Sequence, residues 1–320
     1  MRWSERYEQD IERIFAEAVA ETALFPAPFK EIGLSLLAKA NPEGKREGSN
    51  YITFLLPFWL KERMTEFSEA ICRDLAVGNI YAMLHYFLMD DVMDAGGRLD
   101  KEEIRNALVL GQLYQGLFQQ RYGQHFPAES PLWQDYRGYV ETWGAAVSLE
   151  GKLPADPHDP GRLAAKSAPV KLCAAGMLRL TGGRESLSEL ERAIDLVLAT
   201  LQLADDWKDW REDLAEEEEG CNAFLTLARE RISLPPDHPL DERKVKQAIY
   251  RANVLDRLAD IAEDYGKRIE SIPNVPASLA SFQRSLTGEI RKDALLAEET
   301  TARLASGGAL SYFLSNIARK

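Results

Sequence analysis

Apolar residues recur along most of this chain at i, i+3 and i+4, the spacing of one helix face, and polar and apolar residues never alternate for more than a few positions. The pattern predicts an all-α protein. Helices are expected over about 3–23, 50–64, 66–96, 101–122, 130–150, 162–180, 186–217, 222–231, 241–271, 277–304 and 309–318. Proline and glycine clusters separate them, among them "FPAPF" at 25–29, "NPEGKREG" at 41–48, "LPADPHDPG" at 153–161, "SLPPDHP" at 233–239 and "IPNVP" at 272–276. A chain of 320 residues can form one large domain or two smaller ones. None of these breaks is long enough for a flexible linker, so a single all-α domain over 1–320 is expected.

Two of the helices carry acidic clusters. "FLMDDVMD" holds Asp90, Asp91 and Asp94, and "LQLADDWKDWRED" holds Asp205, Asp206, Asp209 and Asp213. Each follows a mostly apolar run, where carboxylates are costly unless cations neutralise them. At about 100° per residue Asp90 and Asp94 fall about 40° apart, and Asp205, Asp209 and Asp213 form one stripe at i, i+4 and i+8. Like charges at that spacing destabilise a helix by about 0.2 to 0.5 kcal/mol per pair, more where the face is dry. A hard divalent cation removes the penalty. Carboxylate oxygens suit Mg2+, which usually shares its shell with substrate phosphates, so two carboxylate rims facing each other would hold a diphosphate through bridging magnesium. The alternative is a pair of solvated acidic faces. Two occurrences about 115 residues apart, each on the heels of an apolar run, favour the metal site.

The same helices suggest a pocket. Counting back from Asp90, Phe87, Tyr86, Met83 and Asn79 lie on or near the metal face, and Gln202 and Leu198 share the face of Asp205 and Asp209. An apolar and aromatic sleeve under a cation-bound mouth suits a ligand with a greasy tail and a phosphorylated head. For any one of these side chains ordinary core packing is an equal alternative. Trp207 and Trp210 point away from the acids by this count and are expected to be packing residues.

Charge and composition narrow the partners. A net charge of -12 and a pI near 5.0, with no basic stripe, argue against nucleic acid or an anionic membrane surface. Cys72, Cys173 and Cys221 are far apart and form no CxxC, which suggests neither a disulfide framework nor a thiolate metal site. His85, His125, His158 and His238 sit in unrelated contexts and offer little to a histidine metal site or a triad. The charged start "MRWSERYEQDIERIF" lacks the apolar core of a signal peptide. The longest strongly apolar stretch, "ITFLLPFWL", falls far short of the roughly 20 residues that span a bilayer. A cytoplasmic protein without membrane insertion is expected.

The chain resembles the class I isoprenoid synthases, which include trans-prenyltransferases, class I terpene cyclases and squalene and phytoene synthases. "DDVMD" at 90–94 is similar to their first aspartate-rich motif, and "QLADDWKD" at 202–209 to the QxxDDxxD form of the second, Gln202 included. "AKSAP" at 165–169 lies about 40 residues before Asp205, where the family has a Lys-Thr or Lys-Ser pair that contacts diphosphate. The matches span about residues 44–213. The resemblance implies a helical bundle around a deep apolar cavity, three Mg2+ ions at its mouth held by the seven aspartates, and ionisation of an allylic prenyl diphosphate such as farnesyl or geranylgeranyl diphosphate. It makes Lys166 the expected diphosphate ligand, with Gln202, Lys45, Arg46, Arg98 and Arg291 as further candidates and Arg162 as a substitute. A homodimer is also suggested.

Departures choose within the family. Chain-elongating enzymes usually carry a paired Arg-Arg-Gly after the first motif, whereas this chain reads "AGGRLDKEE" with Arg98 alone. "EGKREG" at 43–48 offers Lys45 and Arg46 without the residues that normally follow, and "EGCNAFLTLA" lacks the lysine usual after the second motif. The apparatus for isopentenyl diphosphate is therefore incomplete while that for ionisation is intact. The expectation is a Mg2+-dependent terpene synthase. The alternatives are a chain-elongating trans-prenyl diphosphate synthase and, further off, a non-catalytic partner subunit, which would be expected to lose metal ligands.

Overall fold

The computed structural model describes residues 5–42, 50–95, 98–181, 187–216, 219–235 and 237–303. Among them the protein is all-α, with thirteen α-helices, short 3-10 turns and no strand, as the apolar spacing predicts. No described helix is long and apolar enough to cross a membrane. Two compact units are distinguished. The first comprises the chain up to Glu141 with Ala168–Glu191 and Pro276–Leu279; the second comprises Thr142–Ser167, Arg192–Val275 and the chain from Ala280 on.

In the first unit α1 (Glu8–Thr22), α2 (Phe29–Ala40), α3 (Tyr51–Lys61), α4 (Glu69–Met93) and α5 (Lys101–Gly123) precede the start of α6 (Leu132–Leu149). Every residue of α3 from Ile52 to Leu60 is buried, as a helix apolar all round must be, and α3 packs on α4 and on α8 (Leu172–Thr181). Both long helices start at side-chain caps. Ser68 accepts from Ile71 N at the head of α4, and Asp100 and Glu103 form a capping box on α5. Between α4 and α5 the fit is close. A Cβ added at Gly78 would lie 2.9 Å from the Tyr122 ring, whose hydroxyl donates to Asn79 Oδ1 and whose face stacks on Phe126. Gly78→Ala is therefore expected to destabilise the protein by about 1 to 2 kcal/mol, overpacking outweighing the helix propensity of alanine. The midpoint of denaturant unfolding measures it; an unchanged midpoint would mean that the two helices can spread.

In the second unit the remainder of α9 (Leu187–Ala215) is joined by α7 (Pro160–Ala164), α10 (Ala223–Arg231), α11 (Glu242–Arg251), α12 (Val254–Glu270) and most of α13 (Ala277–Arg303). Buried Gln283 ties three of them together. Its Nε2 donates to Ala262 O on α12 at 2.8 Å, Thr287 Oγ1 on α13 at 2.9 Å and Thr200 Oγ1 on α9 at 3.3 Å. Trp210, wholly buried, and Trp207 both pack on Phe224 of α10.

The structure departs from the expected helices in three places. Helix α2 is absent from the expectation; Gly33 and the flanking prolines weaken its local signal, and it is held by burying Gly33 and Leu37. The span 162–180, expected as one helix, is α7, a 3-10 segment Ala165–Lys171 and α8, because Pro169 has no N–H for the α-helical bond. The span 241–271 breaks at Asn253, which takes the left-handed conformation at φ 51°, one that asparagine tolerates better than most residues. There Arg231 donates from Nε and Nη2 to Ala252 O at 3.0 and 2.9 Å, satisfying a carbonyl at the end of α11. The expected helix 309–318 lies outside the described residues.

Candidate metal centre

The first acidic cluster stands at a helix C-terminus, the end at which the helix dipole is negative, and the second runs along α9 into its last turn. Asp90 and Asp91 lie in the last turn of α4 and Asp94 is its C-cap, with no basic residue in that turn. Asp213 lies in the last turn of α9, also without a base, and Asp209 and Asp205 stand one and two turns before it. A carboxylate in the last turn of a helix is disfavoured by about 0.3 to 1 kcal/mol. Bound cations would reverse the sign of this effect.

In the first unit Asp90 and Asp94 each offer a carboxylate oxygen, and these oxygens lie within 4.8 Å of one another, near enough to hold a metal ion. Asp91 is exposed as a residue, yet its carboxyl is shielded enough to be shifted upward, first by desolvation and then by Asp94, with Lys39 opposing. Arg98, a candidate for diphosphate, donates to main-chain carbonyls at the end of α4: Nη2 to Asp94 O at 2.6 Å and Nε to Ala95 O at 3.4 Å.

In the second unit burial pushes the Asp205 carboxyl up to about 6, with Asp209 and Glu289 adding to the rise and Lys208 opposing it. Asp209 and Asp213 are also raised, mainly by desolvation. Asp213 is partly relieved by the carboxamide of Asn222, whose Nδ2 donates to Asp213 Oδ2 at 2.6 Å. Asp206 has a different environment from its neighbour. It is 4% exposed, and its two oxygens accept from Gln202 Nε2 at 2.7 Å and Ala223 N at 2.7 Å. Asp206 thus anchors the start of α10, and the amide of Gln202 serves it there.

The other candidates are distributed as follows. Lys166 Nζ donates to Glu150 Oε1 at 2.7 Å, and Arg162 Nη2 to Leu153 O at 2.7 Å. Arg291 is spread over Asp256, Asp260 and Glu263, all on α12. Lys45 and Arg46 lie outside the described residues. Of the expected pocket residues, Asn79 is buried and donates to Thr53 O at 2.8 Å, Met83 and Leu198 are buried, and Tyr86 pairs with Tyr136 through their hydroxyls at 3.1 Å. Phe87 is 50% exposed, far more than a core aromatic. His85 is half-buried against Gly111 O. Glu150 and Asn222 were not singled out from the sequence. For Asn222 a signal existed: asparagine directly before the apolar run "AFLTLA" is an N-cap pattern.

The Asp206 carboxyl is pushed up to about 7, burial being the main cause. Its folded value lies above the ordinary one near 3.8, so its contribution to stability is complete below about pH 4 and is lost as pH rises through 7. Asp206→Asn removes that loss, and a turned Gln202 carboxamide can still pair with the new amide. In chelator, the unfolding midpoint of Asp206→Asn relative to the unsubstituted protein is expected to improve steadily from pH 5 to 8, by on the order of a few kcal/mol in total. A difference independent of pH would show that the carboxyl is ionised throughout.

Comparison of the chain with protein-family models, with curated proteins and with solved structures finds no match. The functional reading therefore rests on the residues and their geometry.

Proposed function

We propose that this protein is a class I terpene synthase that uses Mg2+ to ionise an allylic prenyl diphosphate such as farnesyl or geranylgeranyl diphosphate. The observation that carries the reading is the placement of two aspartate clusters toward the C-terminal ends of two long helices, neither with a basic residue in its last turn, with the Asp90 and Asp94 oxygens within 4.8 Å of each other. All-oxygen, multiply charged donor sets fit a hard cation, and such cations are shared with phosphates. Asp90, Asp94, Asp205, Asp209 and Asp213 are the proposed ligands, and Asp206 is the anchor that holds α9 to α10. Bound Mg2+ would supply Lewis-acid stabilisation of the charge that develops on the diphosphate. In the reaction the allylic C–O bond breaks, its electron pair leaves with pyrophosphate, and an allylic cation remains. Lys166 would bind the departing diphosphate.

A second reading, chain elongation with isopentenyl diphosphate, is favoured by the match of Gln202 through Asp209 to the prenyltransferase form of the motif. Against it stands Arg98, the lone arginine where the elongating enzymes usually have a pair, whose guanidinium donates to carbonyls at the end of α4. Incubation with Mg2+ and geranyl, farnesyl or geranylgeranyl diphosphate, each with and without isopentenyl diphosphate, decides between them. A hydrocarbon or alcohol formed without the cosubstrate supports the terpene synthase. Longer diphosphates formed only with it support elongation, and no turnover of any of them sinks both.

A further inference from the structure

The segment that follows the second acidic cluster is built back onto it. Asn222 is 1% exposed and uses both ends of its carboxamide. Its Oδ1 accepts from Leu225 N at 2.8 Å, which caps α10. Its Nδ2 donates to Asp206 O at 2.8 Å and to Asp213 Oδ2 at 2.6 Å. The next residue adds a fourth bond, Ala223 N to Asp206 Oδ2 at 2.7 Å. The capping oxygen alone would suffice to start α10, and serine, threonine or aspartate would supply it equally well. Only a carboxamide also offers an N–H donor, and here that donor is aimed at the last carboxylate of the stripe.

We propose that Asn222 is a positioning residue for the second cluster: capping α10 fixes its carboxamide, and the carboxamide fixes the Asp213 carboxylate for cation binding. The proposal rests on the reading of Asp205, Asp209 and Asp213 as cation ligands. A neutral donor suits that task. A lysine or arginine in its place would hold Asp213 but also neutralise it, whereas the amide engages one oxygen and brings no charge of its own. Ligating carboxylates are commonly held by such outer hydrogen bonds, whose removal typically lowers metal affinity by about 10- to 100-fold.

Serine separates the two roles, because it retains a capping oxygen but is too short, and lacks the amide, to reach Asp213. The test uses the full chain, Mg2+ alone as the probe, and two readouts: the unfolding midpoint in chelator and the Mg2+ concentration that gives half of the metal-dependent rise in that midpoint. For Asn222→Ser the midpoint in chelator is expected to fall less than for Asn222→Ala, because the cap is kept while the bonds to Asp206 O and Asp213 are lost, and the half-saturating Mg2+ concentration rises about 10- to 100-fold. Asn222→Ala should lose both. Asn222→Thr carries the same test if the serine variant does not fold. An Asn222→Ser or Asn222→Thr protein that folds and binds Mg2+ as the unsubstituted protein does would overturn the positioning role and leave the metal site standing. If the unsubstituted protein shows no saturable Mg2+ response, the metal site fails and the positioning role with it. If Asp213→Asn leaves Mg2+ affinity unchanged, the positioning role alone fails.

Discussion

Asparagine in place of Asp205 is expected to move activity and stability in opposite directions. Turnover of an allylic diphosphate at saturating Mg2+ should fall by about 10^3-fold or more, because a lost ligand forfeits several kcal/mol of charge stabilisation in the transition state. Stability in chelator should rise instead. The Asp205 carboxyl is raised to about 6, chiefly by burial, so its favourable contribution is present below about pH 4 and lost as pH rises through 6. At pH 8 the ionised side chain costs the apo protein on the order of 3 kcal/mol, which asparagine avoids. Adding Mg2+ should narrow or invert the gap, since only the unsubstituted protein gains the full linkage free energy of binding. Asp90→Asn tests the first cluster in the same way, through turnover. Near-normal turnover for Asp205→Asn would remove the second cluster from the proposed site. Lower stability in chelator would mean that Asp205 serves as a structural acceptor.

The stripe that places Asp205 is written locally in the chain, whereas the burial that raises its carboxyl is tertiary, and locality is what separates the legible from the illegible here. The i, i+4, i+8 stripe of Asp205, Asp209 and Asp213 needs only the helical period, and the helix bearing it is present from Leu187 to Ala215. The capping box of α5 and the apolar run of α3 are likewise local. Helix α2 was missed because its signal is tertiary: Gly33 is a poor helix former, but Tyr114 donates to its carbonyl at 3.0 Å and leaves no room for a side chain at that position. The break at Asn253 depends in part on Arg231, 22 residues away in sequence, which binds the carbonyl before it. The same limit applies within the site. The helical period sets Asp206 off the stripe of Asp205, Asp209 and Asp213, but that its carboxylate accepts from Ala223 N at the start of α10 is a tertiary contact that the period does not give. Arg291 is a candidate for diphosphate in the sequence, yet α12 presents three carboxylates at its own helical spacing that pair with it.

Lys166→Met is expected to lower turnover by about 10^2- to 10^3-fold and to weaken inhibition by pyrophosphate, while the unfolding midpoint changes little. The lysine stands on the 3-10 segment after α7, whose start is fixed by the Asp159 cap and by Pro160 in the first turn. Its ammonium donates to Glu150 Oε1, and the two side chains are 32% and 24% exposed. A pair so open to solvent contributes only about 0.2 to 1 kcal/mol, and methionine keeps the aliphatic stem, so little stability is at stake. Catalysis is more sensitive. A fixed positive charge facing the departing diphosphate acts where negative charge develops, and loss of one such contact in a dry site costs about 3 to 4 kcal/mol. Glu150 would hold the flexible lysine chain in place before the diphosphate arrives, a form of preorganisation that lowers the ordering cost of binding. Lys166→Arg keeps the charge and can keep the pair, and should recover a large part of the activity that methionine loses. Full activity and unchanged inhibition by pyrophosphate in Lys166→Met would show that the ammonium does not act on the diphosphate.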